Sequence, residues 1–182
     1  MLTDFSAGML ESARANLEGE DRVSFQMADI QNIPFQDGSF DVVIANMMLY
    51  HVPDLFRGLS EVRRVLKNGG KFYCATYGEH GIAEFVTNLL REDNITDKIG
   101  TVFTLQNGAA SLRQYFDNIQ RFDYEDSLEV TKLEDFADYI YSLSSLRNIQ
   151  DIPRNVLIKK LNDKAVNGTL HVPKEYGIFV CS

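Results

Sequence analysis

The sequence predicts an α/β fold: a mainly parallel sheet with helices on both faces. Three observations carry this. Through the first 78 residues, apolar strand-like runs alternate with amphipathic helical stretches. Alternation of that kind builds parallel strands joined by crossover helices. One run, "FDVVIANMML" (Phe40 to Leu49), is apolar almost throughout, as central strands buried on both faces are. Polar residues then stand at the ends of successive runs: Asp4, Asp29 and Asn46.

"MLTDFSAGML" opens on the end of a strand that turns into a helix, with Ser6 as N-cap and Leu10, Ala13 and Leu17 stepping along one face. The helix runs to about Asn16 and "RVSFQMAD" is a strand finishing at Asp29. "VPDLFRGLSEVRRVLKNGG" is an amphipathic helix with Pro53 in its first turn and Leu55, Leu59, Val62 and Leu66 as its stripe. Arg63, Arg64 and Lys67 favour its negative end, and Gly69 stops it. "KFYCATY" is the next strand. Beyond it, "HGIAEFVTNLLRED", "GAASLRQYFDNI", "LEDFADYIYSLSSL" and "PRNVLIKKLNDKAV" are expected helices, "RFDYEDSLEVT" a strand and "YGIFVCS" a final apolar strand. No linker divides the 182 residues, so one domain is expected.

The net charge of -8 argues against nucleic acid and anionic membrane as partners, since both need clustered Lys and Arg. Cys74 and Cys181 lie in apolar strand-like runs and no leader precedes them, so they read as reduced, buried thiols of a cytoplasmic protein. The sequons at Asn94 and Asn167 then read as chance matches.

In an open α/β sheet, ligands bind outside the carboxyl ends of the strands. An acid there can accept both hydroxyls of a ribose. A second acid on the neighbouring strand can accept from an adenine amino group, with the following N–H offered to a ring nitrogen. Asp4, Asp29 and Ile30 are placed for this, although Asp is also an ordinary turn and cap residue.

"LTDFSAGML", "MADIQNIPFQDGSFDVVIANMMLYHVPD" and "EVRRVLKNGGKFYCATY" resemble successive motifs of class I S-adenosylmethionine-dependent methyltransferases, in the UbiE-like, methyltransferase type 11 group. The resemblance covers residues 1 to about 78 and implies a Rossmann-like sheet whose last strand, Tyr176 to Ser182, runs antiparallel. Residues 1–78 would be the cofactor-side core, 79–175 the acceptor-side helices with one strand, and 176–182 the last strand. It also implies S-adenosylmethionine as cofactor and methyl transfer to a small-molecule acceptor. Asp4 would hold the ribose diol and Phe5 lie against the adenine face. Asp29 would take the adenine amino group, the Ile30 N–H its ring nitrogen, and the backbone around Asn46 the methionine end. Phe5 has a plain core reading as well. His51, just past a cofactor strand, is a candidate general base, with helix entry or packing as its alternative. His80 and His171 read as surface residues. Phe136, Tyr139, Ile140 and Leu143, at helical spacing, are core or a wall of the acceptor pocket.

The family's first motif, a strand and a glycine-rich turn of the form D/E-x-G-x-G-x-G, would lie about 20 residues before Asp4. The sequence holds nothing of it, so an N-terminally truncated domain missing its first strand is expected, with impaired cofactor binding. The strands ending at Asp4 and Asn46 would then close on each other, or a second copy would fill the gap as a homodimer. A noncatalytic, self-associating remnant is the competing reading. A nicotinamide-dependent reductase fares worse, because neither its glycine fingerprint nor a Tyr-x-x-x-Lys is present.

Overall fold

The computed structural model describes residues 1–97, 102–143 and 145–182. The chain opens with β1 (Leu2–Asp4), and the Ser6 hydroxyl caps α1 (Ala7–Asn16) by accepting the Met9 N–H. β2 (Phe25–Met27) pairs parallel with β1. β3 (Phe40–Asn46) leads to α2 (Leu55–Val65), whose first turn is capped by the Asp54 carboxylate on the Arg57 N–H. α2 buries Leu55, Leu59 and Val62 as its pattern demands, but it ends at Val65. Leu66, expected on the helix, instead opens β4 (Leu66–Tyr77). Pairing of Leu66 with Phe40 draws the backbone straight before Gly69, which turns at φ 77°.

After β4 come α3 (Ile82–Leu89), β5 (Thr96–Asp97), α4 (Gly108–Leu112), β6 (Ile119–Val130), α5 (Leu133–Ser142), β7 (Leu146–Arg147), α6 (Arg154–Asn162) and β8 (Leu170–Cys181). α4 is shorter than the run to Ile119 suggested. The helix expected through Leu146 ends at Ser142, and Ser144 of that run lies outside the described residues. Asn94, Asn148 and Asn167 all hold positive φ, between 51° and 62°. That gives the two sequon asparagines a backbone role, since Asn tolerates this region better than most residues.

Four strands form the main sheet in the order β3-β4-β8-β6. β3 runs parallel to β4, and β8 runs antiparallel to both β4 and β6, as expected of the last strand. β8 is longer than its apolar run, because Leu170 to Glu175 pair with β6 alone. Pro173, which cannot donate to a ladder, sits in that one-sided stretch.

The expectation for β3 needs correction. It is an edge strand, with Val42 46% and Ile44 68% exposed, because β1 and β2 form a separate two-stranded sheet and, among the described residues, no strand pairs with its outer side. Direct closure of β1 on β3 is therefore not found. Among the described residues, one face of the main sheet carries the core: Ala45, Phe72, Cys74, Phe179 and Cys181 pack with Leu55, Leu59 and Val62 of α2 and with Phe103, Leu105, Leu112 and Phe116. The other face carries Val42, Ile44, Phe122 and Tyr124, all exposed. A second core gathers α3, α5 and α6 around Leu170 and Val172, so the long β6–β8 ribbon spans both cores. Phe136 and Ile140 are buried there as core, Leu143 packs against it, and Tyr139 stays 42% exposed. No helix among the described residues is long and apolar enough to cross a membrane.

Candidate functional site

The register of β1 on β2 sets Asp4 opposite Met27, and the Ala28 N–H donates to the Asp4 carbonyl at 3.0 Å. Asp29 follows immediately. The two acids therefore close adjacent strands of one parallel pair at their carboxyl ends. Each carboxylate also closes a local turn. Asp4 Oδ1 accepts the Ser6 N–H at 2.8 Å. Asp29 Oδ1 accepts the Gln31 N–H at 2.8 Å, and the Gln31 side-chain amide reaches both Asp29 oxygens at 3.2 and 3.3 Å. The turn reading of both acids is thus correct as local structure, and it leaves Asp4 Oδ2 outside the turn.

Phe5 is 75% exposed, so its core reading fails and its ring lies open beside Asp4. Ile30 is partly buried, its side chain about 3.5 Å from where a Cβ on Gly58 would sit, which seats the backbone after Asp29 on α2. Gln31 ties this loop further: its side-chain oxygen accepts the Asp54 N–H and its carbonyl accepts from Arg57 Nε. Asn46 ends β3 opposite Ala75 and is exposed. Met47 then takes a left-handed φ of 52° while its N–H donates to the Ala75 carbonyl. His51 is exposed at the end of a short 3-10 turn (Leu49–His51), its ring 4.4 Å from that of Tyr50. Among the described residues, no hydrogen bond or ion pair joins Asp4 or Asp29 directly to Asn46 or His51. Gln31 and α2 link the two groups indirectly.

Sequence reasoning missed three contributors. Arg64 holds the loop after Asp29: its guanidinium donates to the Ile33 and Phe35 carbonyls and pairs with Asp37 and Glu61, at 2.7 to 2.9 Å. Glu61 completes the clamp by accepting the Ile33 N–H. Its partner Arg64 holds the Glu61 carboxyl below the usual range, and Glu61 raises Arg64 in turn. Tyr77 is the other omission; it closes β4 with its ring 4.5 Å from that of Tyr50. Burial pushes the Tyr50 phenol up, so it stays protonated at neutral pH. Charge at a helix end and Tyr at a strand end were visible in the sequence, but nothing there told which partner they met.

His80 and His171 are exposed beside Glu84 and Glu129, and no group of metal ligands occurs among the described residues. Cys74 and Cys181 are free and buried; a hydrogen bond to Cys181, together with burial, pushes the Cys74 thiol far up. A hollow of about 570 Å³ bounded by Asn88, Leu89, Arg91, Glu92 and Lys164 contains none of the candidate residues.

The methyltransferase domain family matches residues 1–74. A demethylmenaquinone methyltransferase of Clavibacter sepedonicus is 50% identical over 74 residues, 41% of this chain and 30% of that protein. One from Lactococcus lactis subsp. lactis is 35% identical over 115 residues, 62% of this chain and 44% of that protein. The chain thus spans less than half the length of these relatives. Among solved structures, the YcgJ protein from Bacillus subtilis covers 98% of the chain with a TM-score of 0.65 at 21% identity, the chain covering 79% of it. A Haemonchus contortus phosphoethanolamine N-methyltransferase 2, solved with S-adenosylhomocysteine, aligns at a TM-score of 0.54 and 21% identity, over 98% of this chain and 42% of that one. These two share the fold.

Proposed function

We propose that the chain, whose residues 1–74 match the methyltransferase domain family, is a class I S-adenosylmethionine-dependent methyltransferase serving methyl transfer to a small-molecule acceptor in the cytoplasm. One observation carries the reading. Asp4 and Asp29 end hydrogen-bonded parallel strands side by side, as a grip on one nucleoside requires. The residues present fit that end of the cofactor: Asp4 Oδ2 for the ribose hydroxyls, the open Phe5 ring for the adenine face, Asp29 for the amino group and the Ile30 N–H for a ring nitrogen. Asn46 and the backbone at Met47 stand at the end of β3 for the methionine part. The bound cofactor supplies an electrophilic methyl on a sulfonium, so the protein's task is positioning. His51 takes the acceptor's proton where one must leave.

The test is calorimetric titration with S-adenosylhomocysteine. A measurable affinity that falls roughly tenfold or more in Asp4→Asn is expected, since a charge-assisted hydrogen bond is worth about 1.5–3 kcal/mol. Asparagine keeps an oxygen for the Ser6 turn, so a folding defect is avoided. Binding unchanged by Asp4→Asn would refute the site.

The open outer side of β3, with Val42 and Ile44 exposed, favours a second reading: a noncatalytic module that associates with another copy of itself. Sedimentation showing a dimer, together with no titration heat, would select it.

A further inference from the structure

Beyond the acceptor's being a small molecule, the sheet edge next to His51 says something of its chemistry. β4, β8 and β6 stand in register there, Tyr77 opposite Tyr176 and Tyr176 opposite Tyr124. Residues directly opposite share a face, so three tyrosines form a row across neighbouring strands. The row lies on the face of the sheet opposite the α2 core, two residues beyond Ala75, the register partner of Asn46, with Tyr77 and Tyr176 half-buried. Tyr50 closes on Tyr77 from the 3-10 turn, ring to ring at 4.5 Å. Burial, and after it the neighbouring Tyr176 phenol, pushes the Tyr50 phenol upward.

The ring geometry narrows what could sit there. Tyr50 is tilted 58° to Tyr77 and 55° to His51. Tilted rings make a many-sided, electron-rich wall; a flat aromatic guest would need parallel faces to stack between. Phenols held protonated keep the wall neutral and the ring faces negative. The structure already shows one such face at work: the Lys174 ammonium lies 5.1 Å from the centre of the Tyr176 ring. Asp126, the residue opposite on β6, holds that ammonium by a salt bridge and compensates its charge. Ammonium over a ring face within about 6 Å is the favourable arrangement for a cation.

We infer that Tyr50, Tyr77 and Tyr176 form an aromatic subsite that receives an alkylammonium group of the methyl acceptor. The inference rests on the proposed methyl-transfer reading of this edge, but its binding test does not need the cofactor. Choline is the probe, with 3,3-dimethylbutan-1-ol as its uncharged counterpart of equal shape. Titration of the full chain, followed by tyrosine ring shifts in nuclear magnetic resonance, should give choline a dissociation constant of about a millimolar. The alcohol should bind about tenfold more weakly or worse.

Tyr176→Phe keeps the ring face and should hold choline affinity within about threefold, whereas Tyr176→Leu should lose about tenfold. Tyr50→Leu, in the 3-10 turn Leu49–His51, should lose about as much without a change inside the sheet, should Tyr176→Leu fail to fold. Equal binding of choline and the alcohol would overturn the inference. So would the absence of choline binding by a folded protein, or leucine variants that bind as the parent does. A chain that binds choline but not S-adenosylhomocysteine would refute the cofactor reading and leave this subsite standing.

Discussion

Met47 offers a test of how the end of β3 is built. Its φ of 52° puts a long side chain in the left-handed region, immediately after Asn46. For an L-residue this conformation costs roughly 1–2 kcal/mol. The side chain recovers little of that, for it is half-buried and belongs to neither core. Glycine at this position would escape the steric cost and lose about 0.5–1 kcal/mol through the greater freedom of the unfolded chain. Taken at the middle of each range, the difference leaves Met47→Gly about 0.7 kcal/mol more stable. At this chain length that is roughly 1–4 °C in Tm. Met47→Asn should also gain, because asparagine tolerates the region and keeps the unfolded chain stiffer. Neither variant touches the Met47 N–H bond to the Ala75 carbonyl. Differential scanning calorimetry of the three proteins at pH 7 reads the effect. A fall of about 2 °C or more in both variants would mean that the Met47 side chain holds the site together by contacts, and the strain argument would be wrong.

The glycines make a paired prediction. Gly58 lies inside α2 with at least 3.5 Å around its missing Cβ, so Gly58→Ala should stabilise by about 0.8–1 kcal/mol of helix propensity in chemical denaturation. A Cβ on Gly177 would stand 2.7 Å from the Phe122 carbonyl oxygen and 2.9 Å from Leu105, so Gly177→Ala should destabilise by about 1–3 kcal/mol. Acid should act through the paired carboxylates. Lys174 holds Asp126, and Arg154 holds Asp138, below the ordinary value of 3.8. Groups lowered in this way support the fold above that value, and their support is lost as the pH falls below it. Tm should therefore drop between about pH 4 and pH 2. Lys174→Met should make the drop shallower; an unchanged slope would show that the Asp126 pair contributes nothing.

Where one element repeats one period, the fold could be read from the sequence. α2 announces itself by Leu55, Leu59 and Val62 at helical spacing and by Asp54 as its cap, and all are found in those roles. β8 was half legible. Its apolar stretch from Tyr176 is the part that pairs on both sides. The stretch Leu170 to Glu175 pairs on one side only and buries just Leu170 and Val172 in the second core, so it makes no continuous apolar run. β3 misled for the converse reason. Its composition suits a strand enclosed on both faces, yet its outer edge and one face are open, and composition does not report which neighbours are at hand.

The site divides along the same line. Asp4, Asp29 and Asn46 were legible because a strand end is a sequence event: an apolar run stops and a polar residue follows. The clamp of Arg64 on the Asp29 loop joins residues 27 to 31 positions apart, and the tyrosine row joins β4, β8 and β6 across a still longer stretch of chain. Contacts of that range depend on register, and register follows from packing that no single segment encodes. Gln31 shows how the two levels meet. It bonds the Asp29 carboxylate with its amide and the start of α2 with its oxygen. Through it, the nucleoside end of the proposed site is carried on the helix that begins just after His51. The two ends of the site therefore keep a common frame although β1 and β3 share no hydrogen bond.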